Sequence, residues 1–379
     1  MMEEEIHKGL EGILAAESQI CFIDGETGKL LYRGYNINDL AKYSTYEEVA
    51  YLLLFGKLPT KSGLKEFNNQ LVSQMRLPKE LLKAMKIFPK NADPMDNLRT
   101  AASLLGTYDT ELANSSPEKN LERSISLVAK FPTIIASLHR IKNDLKPIKP
   151  KSKLSYACNF LYMLHHKLPE DTATKAMDTD FILHAEHGFN ASTFSARVTI
   201  STLSDIYSAI TSAIGTLKGP LHGGAAGEVF KMLKKIGRAE NVEGYVNEAL
   251  GRKERIMGFG HRVYKTLDPR AIHLKEMSRQ LAKKTGNFQF FNISQKLEEI
   301  VTPLLKEKRI YPNVDFYSGT VYNNLGIPEE LFNSIFAVSR TAGWAAHILE
   351  QLGDNRLIRP REKYTGGMDL EYIPIRKRK

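Results

Sequence analysis

Cysteine is nearly absent from this sequence, which holds only Cys21 and Cys158 among 379 residues. Disulfide frameworks need more cysteines, and cysteine-based metal sites use closely spaced pairs, so the sequence excludes both. Sparse, unpaired cysteine is typical of a protein in a reducing compartment. Long hydrophobic runs are also missing: no stretch reaches the ~18 consecutive apolar residues of a membrane helix. We therefore expect no membrane span.

No targeting segment is expected either. Residues 1–5 are acidic, and no apolar run follows them. Signal peptides begin with basic residues before an apolar stretch, and mitochondrial transit peptides avoid acids, so the sequence matches neither. We expect a cytoplasmic protein.

The charge balance is basic, with a formal net charge of +10, but the basic residues do not form a stripe. Lysine and arginine are interspersed with aspartate and glutamate, which argues against a nucleic-acid interface. The densest basic run, residues 146–153, is broken by proline and is interpreted as a solvated connector. Small anionic substrates would suit the same charge balance.

Helical periodicity dominates the sequence after one short hairpin, predicted over residues 20–34. A helix is predicted between Pro328 and Gly353, with proline near its first turn and glycine just past its end. Its apolar face recurs in steps of four and three: Leu331, Ile335, Val338, Ala342, Ala345, Leu349 and Leu352. A second long helix is predicted from Asn190 to Gly219, with Leu203, Ile206, Ile210, Ile214 and Leu217 on one face. The fold class is therefore predicted to be all-α.

Two segments concentrate histidine. His184 and His187 lie three residues apart and are predicted to share one helical face, where a metal pair or a helix-end cap is the ordinary interpretation. His222 stands in Gly219-Pro-Leu-His-Gly-Gly, a setting unusual for a core residue. Glycine there would let a ligand approach the backbone closely, and a helix start would attract negative charge.

Two further segments combine histidine or aspartate with glycine. His261 follows Gly258-Phe-Gly260, with Arg255 and Lys265 nearby to bind phosphate or carboxylate. Asp315 stands among valine, phenylalanine and tyrosine, where burial would raise its pKa and suit it to act as a base. A turn-forming aspartate is the ordinary alternative at that position.

Two arginines near the C-terminus complete the candidates. Arg340 lies about 200° round its predicted helix from Val338, off the apolar stripe, so a solvated side chain is the default expectation. Arg359 lies in a segment with little periodicity, and its position alone says little.

Taken together and in this order, these segments resemble citrate synthase over nearly the whole chain. The most specific motifs are Gly-Pro-Leu-His222-Gly-Gly, Met-Gly-Phe-Gly-His261-Arg-Val-Tyr, Asp268-Pro-Arg270 and Asn-Val-Asp315-Phe-Tyr-Ser-Gly. The resemblance implies a large helical domain, residues 1–220 and 326–379, and a smaller mobile helical domain, residues 221–325, that closes over the site.

The same resemblance implies roles for individual residues. The implied catalytic residues are His222, His261 and Asp315. The implied oxaloacetate ligands are His187, Arg270, Arg340 and Arg359, the last contributed across the interface of a homodimer. The implied coenzyme A contacts are Arg255, Ile256, Met257, Gly258, Phe259 and Lys265. Acetyl-CoA is a substrate in this reaction, which requires no metal and no separate cofactor.

Three alternatives stay open. A 2-methylcitrate synthase would use propionyl-CoA, and one methylene is worth only about 1–3 kcal/mol in an apolar pocket. A citryl-CoA lyase would run the reaction backwards, often within longer ATP-handling chains, but the sequence has no phosphate-cradling glycine loop followed by Lys-Ser/Thr. A basic helical binding protein with a lost active site would not be expected to keep the histidines and Asp315 intact.

Overall fold

A computed structural model describes residues 6–378 of the chain, so the acidic start used in the targeting argument lies outside it. The hairpin prediction is confirmed by β1 (Cys21–Asp24) and β2 (Lys29–Tyr32), which pair antiparallel with Cys21 opposite Tyr32. A short third strand, β3 (Tyr35–Asn36), pairs with β2. The side chain of Asp24 accepts the backbone N–H groups of Glu26 and Thr27, which holds the turn between β1 and β2.

The all-α prediction is confirmed, since sixteen α-helices make up most of residues 6–378. The first eight are α1 (Ile37–Tyr43), α2 (Tyr46–Phe55), α3 (Lys61–Gln74), α4 (Lys79–Met85), α5 (Pro94–Thr107), α6 (Pro117–Lys142), α7 (Tyr156–His165) and α8 (Asp171–His184). The others are α9 (Ala191–Ser201), α10 (Ile206–Leu217), α11 (Ala225–Ile236), α12 (Val242–Gly251), α13 (Pro269–Thr285), α14 (Gln289–Leu305), α15 (Asp315–Asn324) and α16 (Phe332–Gly353).

Helix α16 runs through the core and packs against α2, α6, α8, α9 and α10. The predicted apolar stripe is buried from Leu331 to Ala345. The helix begins later than predicted, because a 3-10 turn over Glu329–Leu331 separates Pro328 from the first α-helical residue. Nearly all of its other side chains are buried as well, so α16 is enclosed on every face.

The prediction of one long helix after Asn190 is wrong, because this segment forms two helices. The chain leaves α9 at Ser201 and enters α10 at Ile206, where the Asp205 side chain accepts the N–H of Ser208 and caps the new helix. Leu203 lies in the break with φ of 62° and is 71% exposed, so it does not belong to the predicted face. A capping aspartate satisfies free N–H groups that a continuous helix would not have, so it favours a new start over continuation.

The C-terminal half contains a group of helices, α11 to α15, that pack on one another, and α13 also packs on α1 and α8. The division of the chain into two domains at residues 220 and 326 stays a prediction. The basic run at residues 146–153 forms no helix or strand, in agreement with the predicted connector, and buried Asn159 bonds Lys151 and Leu154 backbone groups there. Residues 354–378 follow α16 as a mostly exposed segment without regular secondary structure, apart from a 3-10 turn over Ile375–Lys377. Within residues 6–378, no helix is long and apolar enough to span a membrane.

Candidate active site

His222 lies in the tight turn between α10 and α11. A Cβ atom at Gly223 would lie 2.3 Å from Asn333 Oδ1 and 2.4 Å from the carbonyl oxygen of Leu217, so only glycine fits. The N–H of Gly223 donates to the same Leu217 carbonyl at 3.0 Å. This close packing fixes the backbone next to His222.

One ring nitrogen of His222 is held by Ser192 at the start of α9. The backbone N–H of Ser192 donates to Nε2 at 3.2 Å, and its hydroxyl oxygen lies 2.8 Å from the same atom. A backbone N–H can only donate, so Nε2 is an acceptor and the proton of the neutral ring is on Nδ1. The indole N–H of Trp344 donates to the Ser192 hydroxyl oxygen at 3.0 Å and fixes that oxygen in place.

The imidazole of His222 is neutral at ordinary pH. Burial, reinforced by the positive charge of Arg340, lowers its pKa to about 4. Desolvation of the charged form is the main cause.

His261 is held through Nδ1, whereas His222 is held through Nε2. The backbone N–H groups of Val263 and Tyr264 donate to Nδ1 at 3.0 and 3.2 Å, so the proton of the neutral ring is on Nε2. Burial, with Arg270 as the next cause, lowers the pKa of His261 to about 4.

His187 is buried and lies beyond the end of α8, whose last residue is His184. The prediction that the two histidines share a helical face is therefore wrong. Its Nε2 lies 3.1 Å from the hydroxyl of Tyr264, and its ring centre lies 5.2 Å from that of His261. Burial holds the pKa of His187 well below its usual value, with Arg270 adding to the effect. His184 bonds the backbone oxygen of Asp180 inside α8, and within residues 6–378 no group of three or more His, Cys, Asp or Glu is placed to hold a metal ion.

His187, His222 and His261 are held in the same way. Each has one ring nitrogen bonded to the protein, and the other nitrogen has no hydrogen-bond partner within residues 6–378: Nδ1 of His222, Nε2 of His261 and Nδ1 of His187. For His222 and His261 the fixed backbone donors place the ring proton on that second nitrogen. The cluster therefore offers uncharged N–H donors to a bound molecule.

Asp315 is the first residue of α15 and is partly buried. Its backbone N–H donates to the side chain of Asn313 at 3.0 Å, which fixes the start of the helix. Burial raises the pKa of Asp315, and electrostatic interactions with His184, Arg270 and Arg340 oppose that rise. A carboxylate with a raised pKa is a stronger base than an exposed aspartate, as the sequence argument anticipated.

Two arginines are buried beside these groups. Arg270 forms an ion pair with Asp268, in which Nη2 and Oδ2 are 2.7 Å apart, and both side chains are buried. Arg340 is 1% exposed, donates from Nε to the His184 backbone oxygen at 2.7 Å and lies over the ring of Phe336. The default expectation of a solvated Arg340 is wrong, because α16 is enclosed on its polar side as well.

Arg359 lies apart from this cluster in the structure of the single chain. It is exposed in the segment after α16 and makes no ion pair within residues 6–378. The structure therefore brings together three of the four residues predicted to bind oxaloacetate and leaves the fourth outside.

The predicted coenzyme A loop, residues 255–259, lies against the segment that carries Asp315. Gly258 accepts the N–H of Asn313 at 2.9 Å, and the rings of Phe259 and Phe316 lie 4.8 Å apart. A Cβ atom at Gly258 would meet the Phe316 ring at 2.7 Å, so this approach requires glycine. The remaining predicted contacts differ in exposure: Arg255 and Lys265 are exposed, Ile256 is buried and Met257 is partly buried.

Comparison with known proteins gives the same family over the whole length. The family profile described as "Citrate synthase, C-terminal domain" matches residues 9–361. A citrate synthase of Synechocystis is 48% identical over 100% of this chain and 96% of its own length. A citrate/2-methylcitrate synthase of Bacillus subtilis is 42% identical over 96% of this chain and 98% of its own length. The chain belongs to the citrate synthase family.

A solved structure extends the match to three dimensions. The citrate synthase of Thermoplasma acidophilum, solved as a ternary complex with carboxymethyl coenzyme A and oxaloacetate, is 35% identical. It superposes with a TM-score of 0.94 and covers 99% of this chain and 100% of its own. The predicted all-α citrate synthase fold is confirmed.

Sequence reasoning missed the residues that hold the histidines. Ring nitrogens are contacted by Ser192 and by the hydroxyl of Tyr264, and Trp344 in turn contacts the Ser192 hydroxyl. These residues come from elements far apart along the chain. Only Ser192 left a usable signal, because Asn190 is a capping residue and free N–H groups follow a cap.

Proposed function

We propose that the chain condenses acetyl-CoA with oxaloacetate and hydrolyses the resulting citryl-CoA to citrate and coenzyme A, as a citrate synthase acting as an acyltransferase. The observation that carries the proposal is that three neutral imidazoles, those of His187, His222 and His261, and the carboxyl group of Asp315 all lie within the electrostatic influence of the buried Arg270 or Arg340. Such a set can remove a proton from carbon and stabilise two developing negative charges.

Asp315 is proposed to remove a proton from the acetyl methyl group. A thioester methyl has a pKa on the order of 20, and an ordinary aspartate has a pKa of about 4, so transfer alone is uphill by roughly 22 kcal/mol. The raised pKa of Asp315 closes only part of that gap. A hydrogen bond from Nδ1 of His222 to the thioester oxygen would stabilise the enolate as it forms.

Oxaloacetate is proposed to bind beside His261. The permanently charged, forked guanidinium groups of Arg270 and Arg340 suit its carboxylates, and His187 adds an uncharged donor. Nε2 of His261 would donate to the ketone oxygen while the new carbon–carbon bond forms. Water then hydrolyses the thioester.

Arg359 is proposed to complete the oxaloacetate site of a second copy in a homodimer. Its exposed position in the single chain is consistent with that role. The reaction calls on no metal or separate cofactor, and residues 255–259 with Lys265 are proposed to contact coenzyme A. A basic, exposed Lys265 fits a phosphate contact.

Residues 221–325 are proposed to close over the bound substrates, which would keep acetyl-CoA from wasteful hydrolysis. The hinge candidates are Gly219, Gly223 and Gly224. Close packing explains Gly223 independently of any motion, so Gly219 and Gly224 are the better candidates. Small-angle scattering with and without oxaloacetate tests closure, and no compaction on binding would contradict it.

The substrate is tested by following free thiol release from acetyl-CoA and propionyl-CoA, each with and without oxaloacetate. Release that depends on oxaloacetate and favours acetyl-CoA is expected. Comparable propionyl-CoA turnover would move the activity to 2-methylcitrate synthase with the same residue roles, and no dependent release from either thioester would contradict both and favour a citryl-CoA lyase.

The role of His222 has its own test. His222→Ala is expected to lose turnover by roughly 100-fold or more while the affinity for oxaloacetate changes little, since the lost hydrogen bond stabilises the transition state. Equal losses in turnover and affinity would contradict the assignment.

A further inference from the structure

Tyr264 lies among the residues that are proposed to bind oxaloacetate. It is 2% exposed. Its ring centre lies 4.8 Å from that of His261 and 5.5 Å from that of His187, and the guanidinium carbon of Arg270 lies 6.0 Å from it. Three of the groups proposed to meet oxaloacetate therefore surround one side chain.

Tyr264 bonds two of the histidines at once. Its backbone N–H donates to Nδ1 of His261 at 3.2 Å, and its hydroxyl lies 3.1 Å from Nε2 of His187. The neighbouring N–H of Lys265 donates to the carbonyl of Gly25 at 2.9 Å, which ties this stretch to the turn of the β1–β2 hairpin. Tyr264 is thus fixed in position before any substrate arrives.

The direction of the hydroxyl bond follows from the chemistry of the pair. Burial raises the pKa of Tyr264, and burial lowers that of His187, so the phenol is protonated and the imidazole is neutral. A phenol O–H is a stronger donor than the N–H of a neutral imidazole, so the hydroxyl donates to Nε2. The ring proton of His187 then lies on Nδ1, the nitrogen without a partner within residues 6–378.

We propose that Tyr264 is a positioning residue for oxaloacetate, whose hydroxyl holds His187 in the tautomer that presents its Nδ1–H to the substrate. The inference rests on the proposed function and deepens it. In the other tautomer, His187 would present a lone pair to a dianion, which is repulsive. The Tyr264 hydroxyl therefore contributes to substrate affinity without touching the substrate.

Tyr264→Phe removes only the hydroxyl and leaves the ring and the backbone N–H to His261. The KM for oxaloacetate is expected to rise roughly 3- to 10-fold, the effect of one lost hydrogen bond, with kcat changed less than about 2-fold. Tyr156→Phe is the matched control, because Tyr156 is equally buried but donates to the backbone oxygen of Val128, away from the site. The control is expected to lower the unfolding temperature and leave the KM unchanged.

A double-mutant cycle separates positioning from general packing. His187→Asn can place its amide near the position of Nδ1 but has no atom at the position of Nε2, where the Tyr264 hydroxyl meets the ring. The variant is expected to weaken oxaloacetate binding, measured by calorimetry. If Tyr264 acts through His187, adding Tyr264→Phe to His187→Asn changes affinity by less than about 2-fold. Additive losses in the double variant, or an unchanged KM in Tyr264→Phe alone, would overturn the inference.

A measurement on the unaltered chain covers the case in which the variants do not fold. In nitrogen-15 spectra of labelled histidines, Nε2 of His187 is expected to be unprotonated and Nδ1 protonated, and the reverse would overturn the inference. Failure of the proposed function is distinguishable, because it appears as a wild-type chain without oxaloacetate-dependent thiol release. A wild type that turns over normally while the cycle is additive contradicts only the role of Tyr264.

Discussion

Two regions of the molecule carry arginines with the same proposed ligand and opposite surroundings. Arg270 and Arg340 are buried in the helical core, where Asp268 and the His184 carbonyl hold them in place. Arg359 is exposed on the segment after α16. The core arginines lose their hydration when the chain folds, whereas Arg359 would lose its hydration only on binding a substrate or another chain.

The exposed segment has a second unusual property, which is its apolar content. Large apolar side chains stand in water there: Leu357, Tyr364, Met368, Leu370, Tyr372, Ile373 and Ile375. A concentration of exposed apolar groups in one segment is typical of a surface that another chain covers. The comparison supports the proposed homodimer. If Arg359 binds oxaloacetate as proposed, burial within one chain is an incomplete guide to the residues of the site.

Removal of the core base should give the largest effect. Asp315→Asn is expected to lower kcat by about 10³-fold, since the side chain keeps its size but can no longer accept the proton. Oxaloacetate affinity, measured by calorimetry, should stay within a few-fold of wild type. A variant that retained more than about a tenth of wild-type kcat would contradict the assignment of Asp315 as the base.

Removal of Arg359 tests the other side of the comparison. Arg359→Ala is expected to raise the KM for oxaloacetate by about 30-fold or more, the effect of about 2 kcal/mol, without lowering the free energy of unfolding of the subunit. Lys363→Ala, an exposed cation on the same segment, is the matched control and should change neither quantity.

A mixing experiment decides which chain Arg359 serves. Asp315→Asn and Arg359→Ala subunits, refolded together, should recover about a quarter of wild-type activity at low oxaloacetate, because half of the dimers are mixed and each mixed dimer has one complete site. If Arg359 served its own chain, mixing would restore nothing.

The pH dependence of turnover distinguishes the titrating groups of the core. Asp315 must be ionised, and burial raises its pKa, so turnover should be lost as pH falls through a value above the ordinary aspartate pKa of about 4. His222 and His261 have pKa values of about 4, so they stay neutral at the ordinary histidine pKa of about 6.5. An acid limb of kcat against pH at about 6.5 with the slope of two protons would therefore contradict this account.

The smallest effect should come from a buried carboxyl outside both regions. Burial, with Glu47 as the next cause, raises the pKa of Asp178 to about 7. Between about pH 4 and pH 7, the folded chain therefore holds a proton on Asp178 that the unfolded chain has lost. The free energy of unfolding falls as pH rises through this range, and the loss is complete above about pH 7. Asp178→Asn should be more stable than wild type at pH 8 by about 1–3 kcal/mol in the free energy of unfolding and equal to it at pH 4. Equal stability at both pH values would contradict the shift.

Local patterns in the sequence were enough for the hairpin, the helical class and the segments that carry His222, His261 and Asp315. They failed where a distant group decided the outcome. The periodicity from Asn190 to Leu217 ran through the break at Asp205, because a side-chain cap competes with a continuous helix and leaves the apolar spacing unchanged. Arg340 was expected in solvent, because the apolar periodicity of a single helix does not show that other helices cover its polar side.

The sequence by itself determined the family, the helical class and which residue types are available for the chemistry, because these depend on local spacing and on motifs within a few residues. Only the tertiary structure decided the state of those residues. The tautomers of His222, His261 and His187 depend on donors at Ser192, Val263 and Tyr264, and their lowered pKa values depend on burial among several helices. Hydrogen bonds and desolvation act between groups that are close in space, and folding alone brings those groups together.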